Sequence, residues 1–420
     1  MVLVGSNTVY LTADVKAAEV ASAKRQPVNL AVVIDRSGSM SGAKLHQAKK
    51  AARQLVSQLT PNDRLAIVHY GSDVKSLNGL LVSDENRARL LTYIDGIIDE
   101  GGTNIGAGLT AGRQVLNSAE DGTAASTNPF RVNRLILISD GQPTEGITDH
   151  SALVDLVREL RRSNVTVSSI GVGDDFNEAL MESFAEVGAG AYAYLQDASQ
   201  LERIFTKDLN AAGTQVAQGV TLTLTVPAGT FVRALGYTPI SRSRTGEHEL
   251  ITLALPDFAA GSTERVVVEL SVHGAQRGQV IDVSHAALNY TDVLASHPVT
   301  TTVLVQATVT TDENAFRANQ DGEALVFAAR AVSGANTRDA VDALKRGDRD
   351  RARQYFEANK KMLTSFGSVR GAPSVSKDLS DQDDLIRGME QAQDVQGVSG
   401  FSKEAHKKSR LNFGLFGSTY

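Results

Sequence analysis

Residues 28–34, Val-Asn-Leu-Ala-Val-Val-Ile, are almost continuously apolar and rich in β-branched side chains. Such a run reads as a strand buried on both faces. A Gly/Ser loop follows. Then Leu45, Ala48, Ala52, Leu55 and Leu59 recur at helical spacing along one face, until Thr60-Pro61-Asn62-Asp63 ends the helix. The alternation continues. Strands are predicted at 64–70, as two short pieces within 74–82, and at 134–139, 165–171 and 191–195. Helices are predicted at about 84–99, 105–118, 150–163, 177–186 and 199–211, with a polar loop at 119–131. Strands and helices alternating at this length imply a doubly wound, mostly parallel, Rossmann-like sheet with helices on both faces.

From residue 214 the helical rhythm disappears. Thr221–Val226, Leu250–Leu255, Arg265–Val272, Val280–Leu288 and Thr300–Val309 alternate with period two, separated by turn residues. Short alternating strands of this kind indicate a β-sandwich. The alternating segment 8–22 finds its home there too, which makes the α/β region an insertion in the β domain. The expected organisation is therefore an N-terminal strand over 1–26 joining the sandwich, an α/β domain over 27–212, the sandwich over 213–311, a helical segment over 312–366 and a flexible tail over 367–420. Within the helical segment, Ala340–Met362 resembles a helix–turn–helix pair of the tetratricopeptide type with Gly347-Asp348 at the turn. One pair does not make a repeat array.

The candidate chemistry sits in loops that follow predicted strands, where ligands bind in open α/β sheets. Asp35-Arg36-Ser37-Gly38-Ser39 puts a carboxylate and two hydroxyls into a tight turn. Hard oxygen donors of this kind suit Mg²⁺, or Mn²⁺ or Ca²⁺, and not soft metals. Three donors do not fill a coordination shell. Thr103, in Gly101-Gly102-Thr103, and Asp140, in Ser139-Asp140-Gly141, supply a further hydroxyl and carboxylate. Each piece alone also reads as a helix-capping loop; in this order after buried strands they define one site.

Asp-x-Ser-x-Ser, a Thr after Gly-Gly, and Ser-Asp-Gly after an apolar strand together resemble the metal-ion-dependent adhesion site of von Willebrand factor A (vWA) domains. The resemblance covers about 28–212. It implies one divalent metal at Asp35, Ser37, Ser39, Thr103 and Asp140, with an open position taken by an Asp or Glu of a protein partner. It further implies direct ligation by Ser37 and Ser39, an outer role for Asp35, exchange between Thr103 and Asp140 as the site opens, and a sliding last helix, here matched by Leu201–Leu209. The layout is similar to bacterial cytoplasmic vWA proteins and to inter-alpha-trypsin inhibitor heavy chains.

Composition narrows the functions further. The chain has 420 residues, 42 basic against 48 acidic side chains, a net charge of −6 and a pI of about 5.8. That balance gives no broad cationic field for nucleic acid. Cys is absent, so there are no disulfides and no thiolate chemistry. The N-terminus does not read as a secretory signal, and no apolar run is long enough to span a membrane. A cytoplasmic location is expected. Residues 38–44 lack the Gly-Lys-Ser/Thr of a phosphate loop. Gly171–Asp175 reads as a turn capping the next helix, His69 as a packed strand residue, and the basic cluster at 403–410 as a solvated tail. No Gly-x-Ser-x-Gly elbow indicates hydrolysis. The expectation is a non-enzymatic, metal-dependent interaction protein. Two other classes stay open: a substrate-recruiting accessory subunit of a separate ATPase, and an assembly protein that self-associates through the terminal Phe413, Phe416 and Tyr420.

Overall fold

A computed structural model describes residues 1–19, 25–118, 132–173, 175–195, 209 and 212–412. The chain begins with β1 (Val2–Leu3) and the long β2 (Gly5–Lys16), and then enters the α/β domain. There it forms β3 (Val28–Asp35), α1 (Ala43–Gln58), β4 (Arg64–Tyr70), β5 (Val74–Leu81), α2 (Asp84–Asp95), α3 (Ile105–Asn117), β6 (Val132–Ser139), α4 (His150–Arg162), β7 (Val165–Val172), α5 (Glu178–Val187) and β8 (Ala189–Leu195). The sheet order is β5-β4-β3-β6-β7-β8. Only the β4–β5 pairing is antiparallel. β3, β4 and β7 are buried at every position, as strands with helices on both faces must be. One face of the sheet packs Val32, Ile34, Ile67 and Ile136 against Ala48, Leu55 and Leu90. The other packs Val33, Val68, Leu135 and Leu137 against Leu109, Leu153, Val157 and Phe184. The stretch 74–81, expected as two pieces, is one strand. The polar loop at 119–131, and all but Leu209 of the expected 199–208 and 210–211 helical stretch, lie outside the described residues.

The second domain holds β9 (Gln215–Pro227), β10 (Val232–Leu235), β11 (Pro239–Thr245), β12 (His248–Ala254), β13 (Phe258–Ala259), β14 (Thr263–Gly274), β15 (Val280–Asp292) and β16 (His297–Thr310). One sheet runs β1-β16-β15-β9-β12-β11, with β13 added on β9; the facing sheet is β10-β14-β2. β2 pairs with β14 over its full length, from Gly5 opposite Gly274 to Lys16 opposite Thr263. Leu222, Leu224, Ile251, Leu253, Val266, Val268 and Leu270 fill the space between the sheets. The two crossings between domains lie side by side, and the Gln26 amide donates to the Gly213 carbonyl at 2.7 Å.

The C-terminal part departs from expectation. Residues 376–412 are not a flexible tail: they form helices Ser376–Gln391 and Val395–Asn412. These complete a bundle with helices Gly322–Lys345 and Arg349–Gly367, and Leu385, Met389, Phe401 and Ala405 close over Leu344, Ala352 and Phe356. Asp381, Asp383 and Asp384 on helix Ser376–Gln391 meet basic side chains of its neighbours. Lys408 lies 3.0 Å from Asp381 and 3.8 Å from Asp384, and Lys360 lies 2.7 Å from Asp383. The bundle rests on the β domain through Ala328, Ala331 and Val332 against Leu235 and Val267. Residues 413–420, with the three terminal aromatic residues, lie outside the described set. No described helix is long and apolar enough to cross a membrane.

Candidate metal-binding site

The strand order reverses between β3 and β6, the place where a doubly wound sheet opens a crevice at its carboxyl ends. Ile34 lies in register with Ile138, so Asp35 and Asp140 leave neighbouring strands at the same edge. Both carboxylates are fully buried. Asp35 Oδ1 accepts from the Ser37 amide at 2.9 Å. Its Oδ2 accepts from the Ser139 hydroxyl at 2.6 Å and the Tyr70 hydroxyl at 3.2 Å. Protein donors thus serve both oxygens. Burial pushes the Asp35 pKa up, the bonds from Ser139 and Ser37 oppose this, and the nearby Asp140 adds to the rise.

Ser37 and Ser39 stand on a short 3₁₀ turn over Gly38–Met40, anchored below by the buried Met40. Their hydroxyl oxygens are 3.1 Å apart; Ser37 is buried and Ser39 exposed. The Thr103 loop is stitched to this turn. Gly38 donates to the Gly101 carbonyl at 3.0 Å, and Glu100 donates to the Arg36 carbonyl at 2.8 Å. Thr103 itself is buried and donates its amide to Thr144 Oγ1 at 2.8 Å. Two glycines permit the close approach. A Cβ on Gly71 would stand 2.2 Å from the Glu100 carbonyl oxygen, and Gly101 takes φ +76° with Ser72 against it. Arg36, 1% exposed, reaches from the same turn to Asp73 and, at 2.8 Å, to Glu100. It ties three loops together. Direct bonds thus link Asp35 to Ser37 and Ser37 to Ser39, Asp140 lies close enough to Asp35 to raise its pKa, and the loop that carries Thr103 is bonded to the serine turn through Gly101 and Glu100.

The donor set can be tested against a divalent cation. Among the described residues no three His, Cys, Asp or Glu side chains cluster, so a cation here would rest on hydroxyls as well as carboxylates, as hard metals accept. Asp140 Oδ1 is buried and has no hydrogen-bond partner. A buried carboxylate oxygen without a donor is costly unless a cation meets it. The residues fit a hard divalent ion.

Sequence reasoning missed Lys44. Its Nζ lies 3.3 Å from Asp140 Oδ2 and 2.7 Å from Asp175 Oδ1. Partial burial works to lower the Lys44 pKa, but the bond to Asp175 and the charge of Asp140 raise it on balance, so the amine stays charged. The signal was a cation in the first turn of the helix that leaves the serine loop. Asp175 does not cap the following helix; Asn177 does, accepting from Leu180 at 3.2 Å, and its own amide donates to the Asp140 carbonyl at 2.8 Å. His69 is a packed strand residue, its pKa lowered to about 4 by burial and by Arg36 and Lys75.

The fold defines a class, and comparison with known proteins agrees: residues 29–207 match the von Willebrand factor type A domain. The chain carries a vWA domain, a type that typically mediates protein–protein interaction. YfbK of Escherichia coli (strain K12) is 31% identical over 272 residues, 63% of this chain and 45% of that protein. Inter-alpha-trypsin inhibitor heavy chain H1 of Sus scrofa is 36% identical over 156 residues, 37% of this chain and 17% of that protein. The chain thus spans less than half the length of either relative. Two solved structures share the whole layout. A von Willebrand factor type A protein from Catenulispora acidiphila has a TM-score of 0.71 at 17% identity, covering 97% of this chain and 93% of that one. The ArnB paralog VWA2 from Sulfolobus acidocaldarius has a TM-score of 0.60 at 18% identity, covering 98% and 96%.

Proposed function

We propose that this protein is a non-enzymatic interaction module that captures an acidic side chain of a protein partner through a divalent cation, Mg²⁺ or Mn²⁺, held by Ser37, Ser39, Thr103, Asp35 and Asp140. The observation that carries this is the pair of buried carboxylates, one with an unpartnered oxygen, beside two hydroxyls at the sheet's switch point. A cation bound there supplies a Lewis-acidic position that draws a carboxylate. The chain's own residues do the rest. Ser139 and Tyr70 hold Asp35 in place, the Ser37–Ser39 turn presents its hydroxyls, and Arg36 fixes the surrounding loops.

Calorimetric titration of chelator-treated protein with Mg²⁺ and Mn²⁺ tests the site. The wild type should bind one equivalent, and Asp35→Ala and Ser37→Ala/Ser39→Ala should lose at least tenfold in affinity. An immobilised Asp- or Glu-containing peptide library should retain wild type with metal and release it with chelator. Equal metal binding by all three proteins, or capture that survives chelation, would remove the basis for this reading.

A further inference from the structure

Lys44 stands where a second positive charge would matter most. Among the described residues it is the one cation within ion-pair distance of either buried carboxylate of the site. Its stem is seated rather than loose. It lies against Gly173, where φ is +85° and an added Cβ would come within 2.3 Å of Lys44 Cε. The amine bridges a fully buried carboxylate, Asp140, and an exposed one, Asp175. It thereby divides Asp140: Oδ2 faces the amine, and Oδ1 is left without a partner.

We infer that Lys44 is the built-in counter-cation of the metal site, balancing Asp140 in the metal-free protein and setting how much divalent cation is needed to fill the site. This rests on the metal reading above. Without the amine, Asp140 would be a buried charge with no compensation, so the metal-free fold depends on it. With the amine, an incoming divalent cation meets a positive charge a few ångströms away and a carboxylate already half neutralised. Both effects weaken binding. They also leave the bound cation short of negative charge, and so more attractive to a partner's carboxylate.

Full-length wild type, Lys44→Met, Lys44→Gln and Lys44→Arg are compared by Mg²⁺ and Mn²⁺ calorimetry and by thermal melts with chelator and with saturating metal. Gln keeps a hydrogen-bond donor for Asp140, which guards against misfolding of the Met variant. Both neutral variants should bind metal tighter, by on the order of tenfold for a charge removed at this range. Their metal-free forms should melt lower, so that the gap between metal-free and metal-saturated melting widens. Lys44→Arg should stay near wild type. Wild-type binding with unchanged or weaker affinity in both neutral variants would overturn the role of Lys44 alone. Failure of wild type and both neutral variants to bind either metal would instead overturn the metal site itself.

Discussion

Asp257 is expected to hold the vWA and β domains together. Its Oδ1 lies 2.7 Å from Arg161 Nη2 and accepts from the Gly219 amide at 2.9 Å, and its Oδ2 accepts from Thr166 Oγ1 at 2.7 Å. Arg161 and Thr166 belong to α4 and β7; Asp257 and Gly219 belong to the β domain. Both charged side chains are 5% exposed. Asp257→Ala would strip the buried guanidinium of its counter-charge, leaving it the Leu255 carbonyl at 3.0 Å, and would leave the Gly219 amide and Thr166 hydroxyl without their acceptor. Removing one partner of a buried pair costs about 3–5 kcal/mol. Burial works to raise the Asp257 pKa, but the charge and bond of Arg161, with Arg134 and Thr166, hold it below the ordinary value. A depressed carboxylate contributes stability that is complete above its unfolded pKa of about 3.9 and is lost as pH falls through the folded value. Scanning calorimetry at pH 7 should show a lower and broader transition in the variant as the domains uncouple. Urea unfolding followed by circular dichroism should show the wild-type advantage shrinking only below about pH 4. A loss under about 1 kcal/mol at pH 7, the range of a surface pair, would refute the reasoning.

Further outcomes are expected. Glu264 is buried, its pKa raised to about 7 by burial against an opposing bond from Tyr237. Its contribution is full below the unfolded value and falls as pH rises through 7, so Glu264→Gln should gain up to about 3 kcal/mol over wild type at pH 8 and little at pH 4.5; an offset in denaturant melts that is constant with pH would contradict this. A Cβ on Gly108 would come within 2.5 Å of the Tyr70 ring, whose hydroxyl serves Asp35. Gly108→Ala should therefore cost about 1–3 kcal/mol and also weaken Mg²⁺ binding, and unchanged metal affinity would separate Tyr70 from the site. Phe401 meets Phe356 edge-on at 6.4 Å between centroids. Phe401→Ala should cost about 3–5 kcal/mol and strip hydrogen-exchange protection from 376–412, whereas a neutral variant would mean that the last helices do not dock.

The α/β sheet was legible because its central strands are buried on both faces, and a run such as 28–34 has few other ways to hide its side chains. Asp35, Ser37, Ser39 and Asp140 were legible because they directly follow such runs, whereas Thr103, in the loop between α2 and α3, was legible only through its Gly-Gly-Thr motif. Lys44 was not, since its role depends on a helix turning it back over Asp140. The last two helices were hidden by polarity. Helix 376–391 buries only Gln382, Leu385 and Met389, and helix 395–412 is spread with Gly, Ser and Lys. Their order comes from distant partners: Lys408 answers Asp381, and Asn359 donates to Gln382 at 3.0 Å. Local pattern cannot report a contact whose other half is another helix. For Asp175, a turn rich in Asp after a strand suggested capping, but the cap fell two residues later at Asn177.

The pairing of Lys16 with Thr263 also has a consequence for biogenesis. The first long strand leaves the ribosome about 250 residues ahead of its neighbour, which at roughly 5–20 residues per second is a wait of about 12–50 s. During that time the inserted domain has all of its own sheet available and can close. The sandwich must then assemble around a finished body whose two ends emerge next to each other, as the Gln26–Gly213 bond shows. Closing so long a loop through a compact, already folded insert costs less chain entropy than through open coil, so the inserted domain should mature first and template the sheet that embraces it.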